Sequence, residues 1–208
     1  MTSLQVDFPR VAHLLAARMA HDFAGPISGL SAGLDLLTSP NLDEFREDSL
    51  GLIQASVQRL VSLLDFQRAA HGGDDTPMDP SRLQQLAKAF LAEARINLDW
   101  RVGSEPLSGV QSRILLGLIQ LVEQMAARGG SISVECWRRP FRLRIVRRAT
   151  KIRVPDEVVA GLLGEAPADG NGARWSHAFL ILADLKANDG SVTTRTEADQ
   201  FTIDTTFG

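Results

Sequence analysis

The sequence predicts an α+β protein: a long antiparallel helical hairpin, paired with a second copy into a four-helix bundle, followed by an α/β sandwich. Three observations carry this reading. Apolar residues recur at helical spacing over two long N-terminal stretches. A Gly/Asp/Pro-rich segment, Gly72-Gly73-Asp74-Asp75-Thr76-Pro77, then interrupts the chain. Beyond it, helical patterns alternate with short runs of β-type residues.

In the first stretch, Phe8 to about Leu37, residues placed at 100° steps gather Ala12, Ala16, Met19, Phe23, Ile27, Leu30, Leu34 and Leu37 on one side. Ser39-Pro40-Asn41 ends it, because proline lacks an N–H and restricts the residue before it. The second stretch runs from Asp43 to about Ala70, with a stripe of Phe45, Leu52, Ile53, Val57, Leu60, Val61 and Leu64. Its acidic start (Asp43, Glu44, Glu47, Asp48) complements the positive end of the helix dipole. Two helices of about 28 residues, each about 42 Å long, cannot cover their own apolar seams as a hairpin. Pairing with a second copy covers them; packing on the chain's own C-terminal half is the alternative.

After the linker the expected order is a helix from Pro80 to about Ala94 and a short strand at Leu98–Val102. An apolar helix from Gln111 to Ala127 follows, ended by Gly129-Gly130. Strands at Ser131–Trp137 and Phe141–Arg147 lead to a short helix at Val154–Leu163 and a Gly-rich loop to Gly172. A helix at Arg174–Ala187 and a closing hairpin, Val192–Thr196 with Phe201–Thr206, complete the chain. The domains are therefore 1–72 and 79–208.

The totals narrow the function classes. At 208 residues and 44% hydrophobic, the chain can bury one large or two small cores. Nine Phe, three Trp and no Tyr fit a helix-rich protein built on Leu, Ala and Val. A net charge of −3 gives no overall basic balance toward nucleic acid. With Cys136 as the only cysteine, an internal disulfide and multi-thiolate zinc sites are excluded. The N-terminus shows no signal-peptide pattern, and the apolar runs fall far short of the roughly 20 residues of a membrane span. A soluble cytoplasmic protein is expected, with no metal ligands of its own.

His21 is the candidate functional residue. It lies about 170° from the centre of the apolar stripe on the wheel, so it should face solvent. Its neighbours on that outer face, Leu14, Ala17, Arg18, Ala24, Gly25 and Ser28, are mostly small and leave room for another protein's active site. Leu14, Ala17, Gly25 and Ser28 are therefore candidate docking residues. Arg18, one turn earlier, can offer guanidinium hydrogen bonds to a phosphoryl group. Asp22 can orient one imidazole N–H and leave the other ring nitrogen nucleophilic. Arg18 and Asp22 could instead form a surface ion pair of little energetic weight. His13, His71 and His177 read as ordinary side chains.

The run His21-Asp22-Phe23-Ala24-Gly25-Pro26 resembles the H-box of dimeric histidine kinases, in which a phosphorylated His is followed by an acidic residue and, five positions on, by Pro. Leu15-Ala16-Ala17-Arg18-Met19-Ala20-His21-Asp22, with Gly25-Pro26 and Gly33-Leu34-Asp35-Leu36-Leu37, is more similar to the ChpT family of alphaproteobacterial histidine phosphotransferases. This resemblance implies that His21 is phosphorylated and that 79–208 is a degenerate GHKL-type domain like the histidine kinase ATP-binding domain. It also implies that the partners are receiver domains of a hybrid histidine kinase and of response regulators. In a kinase the helix at Gln111–Gly130 would be the N-box, with an Asn for Mg²⁺; here Gly117 or Leu121 takes that place, and Gln120 is the only amide nearby. The G1 box needs an Asp and glycines, but the chain reads Arg147-Arg148-Ala149-Thr150-Lys151, and Gly170-Asn171-Gly172 is a remnant of the lid.

Without ordered phosphates ATP cannot be held in line with His21. The expectation is a phosphotransferase without autokinase or ATPase activity and without a cofactor, Mg²⁺ being supplied by the receiver. A kinase with a divergent ATP site and a non-catalytic dimeric scaffold are the alternatives. The run Trp137–Arg148 concentrates arginines; its alternation with Leu143 and Ile145 suits the solvent side of a strand, with nucleic-acid binding or docking of an acidic receiver as rival readings.

Overall fold

The structure, a computed structural model, describes residues 8–38, 42–73, 75–166 and 172–207. The break at Ser39-Pro40-Asn41, the linker's Asp74 and the Gly170-Asn171 part of the lid remnant lie outside the described residues, as do the side chains of Asp43, Glu44 and Phe45.

Helices α1 (Phe8–Leu37) and α2 (Leu42–His71) are each 30 residues long and pack side by side, with Pro26 inside α1. Small residues set their close approach. A Cβ at Gly33 would lie 2.7 Å from Ile53 Cγ1, and one at Gly29 would lie 2.6 Å from Ser56 Oγ. Larger side chains at either glycine would force the helices apart.

The second half comprises α3 (Pro80–Leu91), β1 (Asn97–Arg101), α4 (Gly109–Glu123), β2 (Ser131–Arg138), β3 (Phe141–Arg148), α5 (Asp156–Leu163), α6 (Gly172–Ala187), β4 (Ser191–Thr196) and β5 (Gln200–Thr206). Local signals start these helices. Asp79 caps α3, its Oδ1 accepting from Ser81 N at 2.7 Å with Pro80 in the first turn. Ser108 and Gln111 form a capping box on α4. The strand order is β1-β2-β3-β5-β4, with β1 parallel to β2 and every other pair antiparallel. Helix α4 ends at Glu123, short of the expected Ala127, and Gly130 follows at φ +78°, where a Cβ would collide with the Arg148 carbonyl.

The sheet buries Ile132, Val134, Leu143, Ile145, Phe201 and Ile203 against α3 and α4. Its other face holds ion pairs: Arg144 Nε lies 2.7 Å from Asp204, and Arg101 bridges Asp99 (2.7 Å) and Glu135 (3.0 Å). Arg142 and Arg144 also lie over the Trp137 ring. The arginine run is thus largely a solvated strand face, with one exception. Arg147 is fully buried and donates to the carbonyls of Ala127, Gly129 and Arg148.

The hairpin has two apolar faces where the wheel showed one stripe. Leu63, Phe66 and Ala70 of α2 enter the core of the second half. Phe66 stacks on Phe90 with ring centroids 4.1 Å apart. The other face, with Ile27, Leu34, Leu52, Val57, Val61 and Leu64, stays exposed. The chain therefore packs part of the hairpin on its own C-terminal half and still leaves a seam open.

Candidate functional site

His21 projects from the middle of α1 with its side chain 80% exposed. It sits on the exposed flank of α1, beside the packed side that carries Val11, Gly29 and Gly33. Nδ1 stands 3.4 Å from Asp22 Oδ1. The same Oδ1 lies 3.0 Å from Arg18 Nε, and the Asp22 side chain is only 14% exposed. One carboxylate therefore touches both the guanidinium and the imidazole. With the Nδ1 proton directed at Asp22, Nε2 carries the free lone pair and faces solvent. Arg18, paired with Asp22 through its Nε, is itself only 19% exposed.

Ala17, Ala24, Gly25 and Ser28 are exposed around the imidazole, and a Cβ added at Gly25 would meet nothing within 4 Å. Leu14 departs from its expected docking role. It is half-buried and packs with Val11, Trp175 and Phe179, and a Cβ at Gly172 would lie 2.5 Å from it. Helix α6 covers that position, which a wheel of α1 alone does not contain. Filling the open ground at Gly25 is expected to obstruct an approaching protein: Gly25→Leu should slow phosphotransfer at least tenfold in stopped-time labelling, with an unchanged circular dichroism spectrum.

Behind this site runs a polar seam where the two halves meet, which the sequence reading left as ordinary side chains. His71 Nε2 is 3.1 Å from Gln120 Oε1, and the His71 and His177 rings stack at 5.1 Å. Burial lowers the pKa of both histidines. For His177 the fall, to about 3, is reinforced by the nearby charges of His71 and Arg18. The neutral ring is therefore the folded form, so its contribution to stability is complete above pH 6.5 and is lost as pH falls toward 3. The slope should approach 1.4 kcal/mol per pH unit, roughly one proton's worth. In thermal melts between pH 6.5 and 4, His177→Phe should show a shallower pH dependence than the wild type.

The positions singled out in the second half have these surroundings, with Gly117 also lining a cavity shared with His71, His177 and Asp184. Gly117 packs on Ile181, 3.3 Å from an added Cβ, and Leu121 is buried. Gln120 is turned to His71, and a buried guanidinium, Arg147, stands on the strand end where an Asp would accept adenine. Among the described residues there is no cluster of three or more His, Cys, Asp or Glu side chains that could hold a metal.

Residues 80–200 match the family model for the histidine phosphotransferase C-terminal domain. The chain belongs to the histidine phosphotransferase family. The protein phosphotransferase ChpT of Brucella abortus (strain 2308) is 26% identical over 176 residues, covering 81% of this chain and 83% of the relative. A bacterial phosphotransferase of known structure superposes with a TM-score of 0.85 at 22% identity, covering 97% of this chain and 98% of the other, and so shares its fold. The family's model covers the second half, whereas His21 lies on the hairpin. Its assignment rests on the geometry above. None of the described helices is long and apolar enough to cross a membrane.

Proposed function

We propose that the chain relays phosphoryl groups between receiver-domain aspartates through a phosphohistidine at His21, without using ATP. The observation that carries this reading is an exposed imidazole held on one nitrogen by Asp22, with Arg18 beside it. In the forward step the Nε2 lone pair attacks the phosphorus of an aspartyl phosphate. The N–P bond forms as the P–O bond to the receiver breaks, and the carboxylate leaves with the electron pair. The phosphorylated ring keeps its Nδ1 proton and a positive charge, which Asp22 balances. Transfer to a second receiver reverses these changes. The receiver brings Mg²⁺ and its own acid–base groups, so the carrier needs only a placed nucleophile and local charge. Leu121 and Arg147, standing where a kinase would place its Mg²⁺-binding Asn and its adenine-binding Asp, support reading the domain 79–208 as a scaffold with no nucleotide, cofactor or metal. The resemblance supplies the partner class, receiver domains of a hybrid kinase and of response regulators, and their compartment, the cytoplasm.

We also infer a homodimer in which the domain 1–72 pairs through its open seam. Ile27, Leu34, Val61 and Leu64 are each about half exposed in the single chain, an apolar face that water does not favour. The Val61→Asp, Leu64→Asp double variant should convert a particle of twice 22.6 kDa to a monomer in light scattering, with helical content retained.

The relay itself is tested by a chase. The chain, labelled from one phosphorylated receiver and purified, should lose its label to a second, unphosphorylated receiver within minutes. A label that never leaves would show a dead-end modification.

A further inference from the structure

We propose that the cleft between the hairpin and the second half is a binding site for a small amphipathic amine, with an ammonium group at one end, an apolar body and an uncharged hydroxyl at the other. This inference is independent of the assignment of His21.

The cleft has a volume of about 270 Å³, near the lower end of the range for small-molecule sites. Its floor is one face of α6. His177, Leu180, Ile181 and Asp184 follow at the spacing i, i+3, i+4, i+7, so they form a single stripe with polar ends and an apolar middle. The two ends are two helical turns apart, about 10 Å. Arg113, Ile114 and Gly117 of α4 line the same cleft, and the absent side chain at Gly117 leaves that wall low. Leu15 of α1 and the Gly72-Gly73 pair after α2 complete the lining from the hairpin side.

Each end of the stripe asks for a different group. His177 is only 2% exposed, and neither its Nδ1 nor its Nε2 has a hydrogen-bond partner among the described residues. A neutral imidazole carries one donor and one acceptor, and leaving both unmet at a buried position is unfavourable. A hydroxyl can answer either nitrogen, whereas a charge brought to the same place would itself be buried. At the other end one cation is set against two carboxylates: Arg113 lies 2.8 Å from Asp75 and 3.8 Å from Asp184. Asp184 has the longer of these two contacts, and burial raises its carboxyl pKa. The charge balance there is negative, so it favours an ammonium over a carboxylate or a phosphate.

The test is a calorimetric titration of the full chain with tyramine, whose ammonium and phenol stand at opposite ends of an aromatic body. It should bind with a Kd below about 1 mM. Phenethylamine, which lacks the hydroxyl, and para-ethylphenol, which lacks the ammonium, should each bind at least about tenfold more weakly. Asp184→Asn should weaken tyramine about tenfold and leave para-ethylphenol unchanged, and His177→Phe should erase the difference between tyramine and phenethylamine. Gly73→Trp, at a position where an added Cβ meets nothing within 4 Å, should plug the cleft and abolish binding without lowering the melting temperature. Because the cleft is lined from both the hairpin and the second half, saturating tyramine should also raise the melting temperature of the wild type. Equal affinity for the three probes, no saturable binding of tyramine up to about 10 mM, or binding untouched by Gly73→Trp would overturn the proposal.

Discussion

His21→Ala should take no label from a phosphorylated receiver, a loss of at least about a thousandfold, while its melting temperature and oligomeric state stay those of the wild type. The side chain is 80% exposed and its polar contact is a long one to Asp22, so removing it creates no cavity and no buried orphan. The chemistry, by contrast, has no substitute. The other imidazoles of the described hairpin are His13, two turns earlier on α1, and His71, which is turned into the junction against Gln120. Asp22→Asn and Arg18→Ala should give partial losses, because orientation and charge can be weakened while the nucleophile remains. Label retained by His21→Ala would show that the phosphoryl group sits elsewhere.

Phe66→Ala is expected to be the most destabilising single change, at about 3–5 kcal/mol for a fully buried aromatic. Phe66 stacks on Phe90 at 4.1 Å, Arg59 lies over the same Phe90 ring, and Arg59 is tied back to the Phe90 carbonyl and to Glu93. One side chain thus anchors α2 to α3. For a chain of this size the melting temperature should fall by on the order of 10 °C. A shift of under about 2 °C would mean that α2 does not depend on this contact. Since the exposed seam of Val61 and Leu64 is on the other face, the variant should still pair while folded.

The two long helices were legible because their apolar period persists over many turns, and His21 was legible because that same period put it opposite the stripe. The sheet strands were legible from alternation: Arg142 and Arg144 face out as Leu143 and Ile145 face in. What a helical wheel cannot contain is a neighbour distant in sequence. Leu14 looked open until α6 covered it, and Leu63, Phe66 and Ala70 fell outside the chosen stripe because α2 serves two partners at once. The His71–His177 stack joins residues over a hundred positions apart, with no local pattern to mark it. Arg147 was read as part of a surface run, yet its guanidinium serves the Ala127 and Gly129 carbonyls in the connection between α4 and β2. A buried cation of this kind shows no periodic signature, because its partners are backbone atoms.

The most direct measurement is to locate the phosphoryl group by mass spectrometry at neutral pH, after incubating the wild-type chain either with a phosphorylated receiver or with ATP and Mg²⁺ alone. The account predicts one phosphoryl group on His21 in the first mixture and none in the second. A phosphoryl group on His21 from ATP alone, or one on any other residue from the receiver, would contradict it.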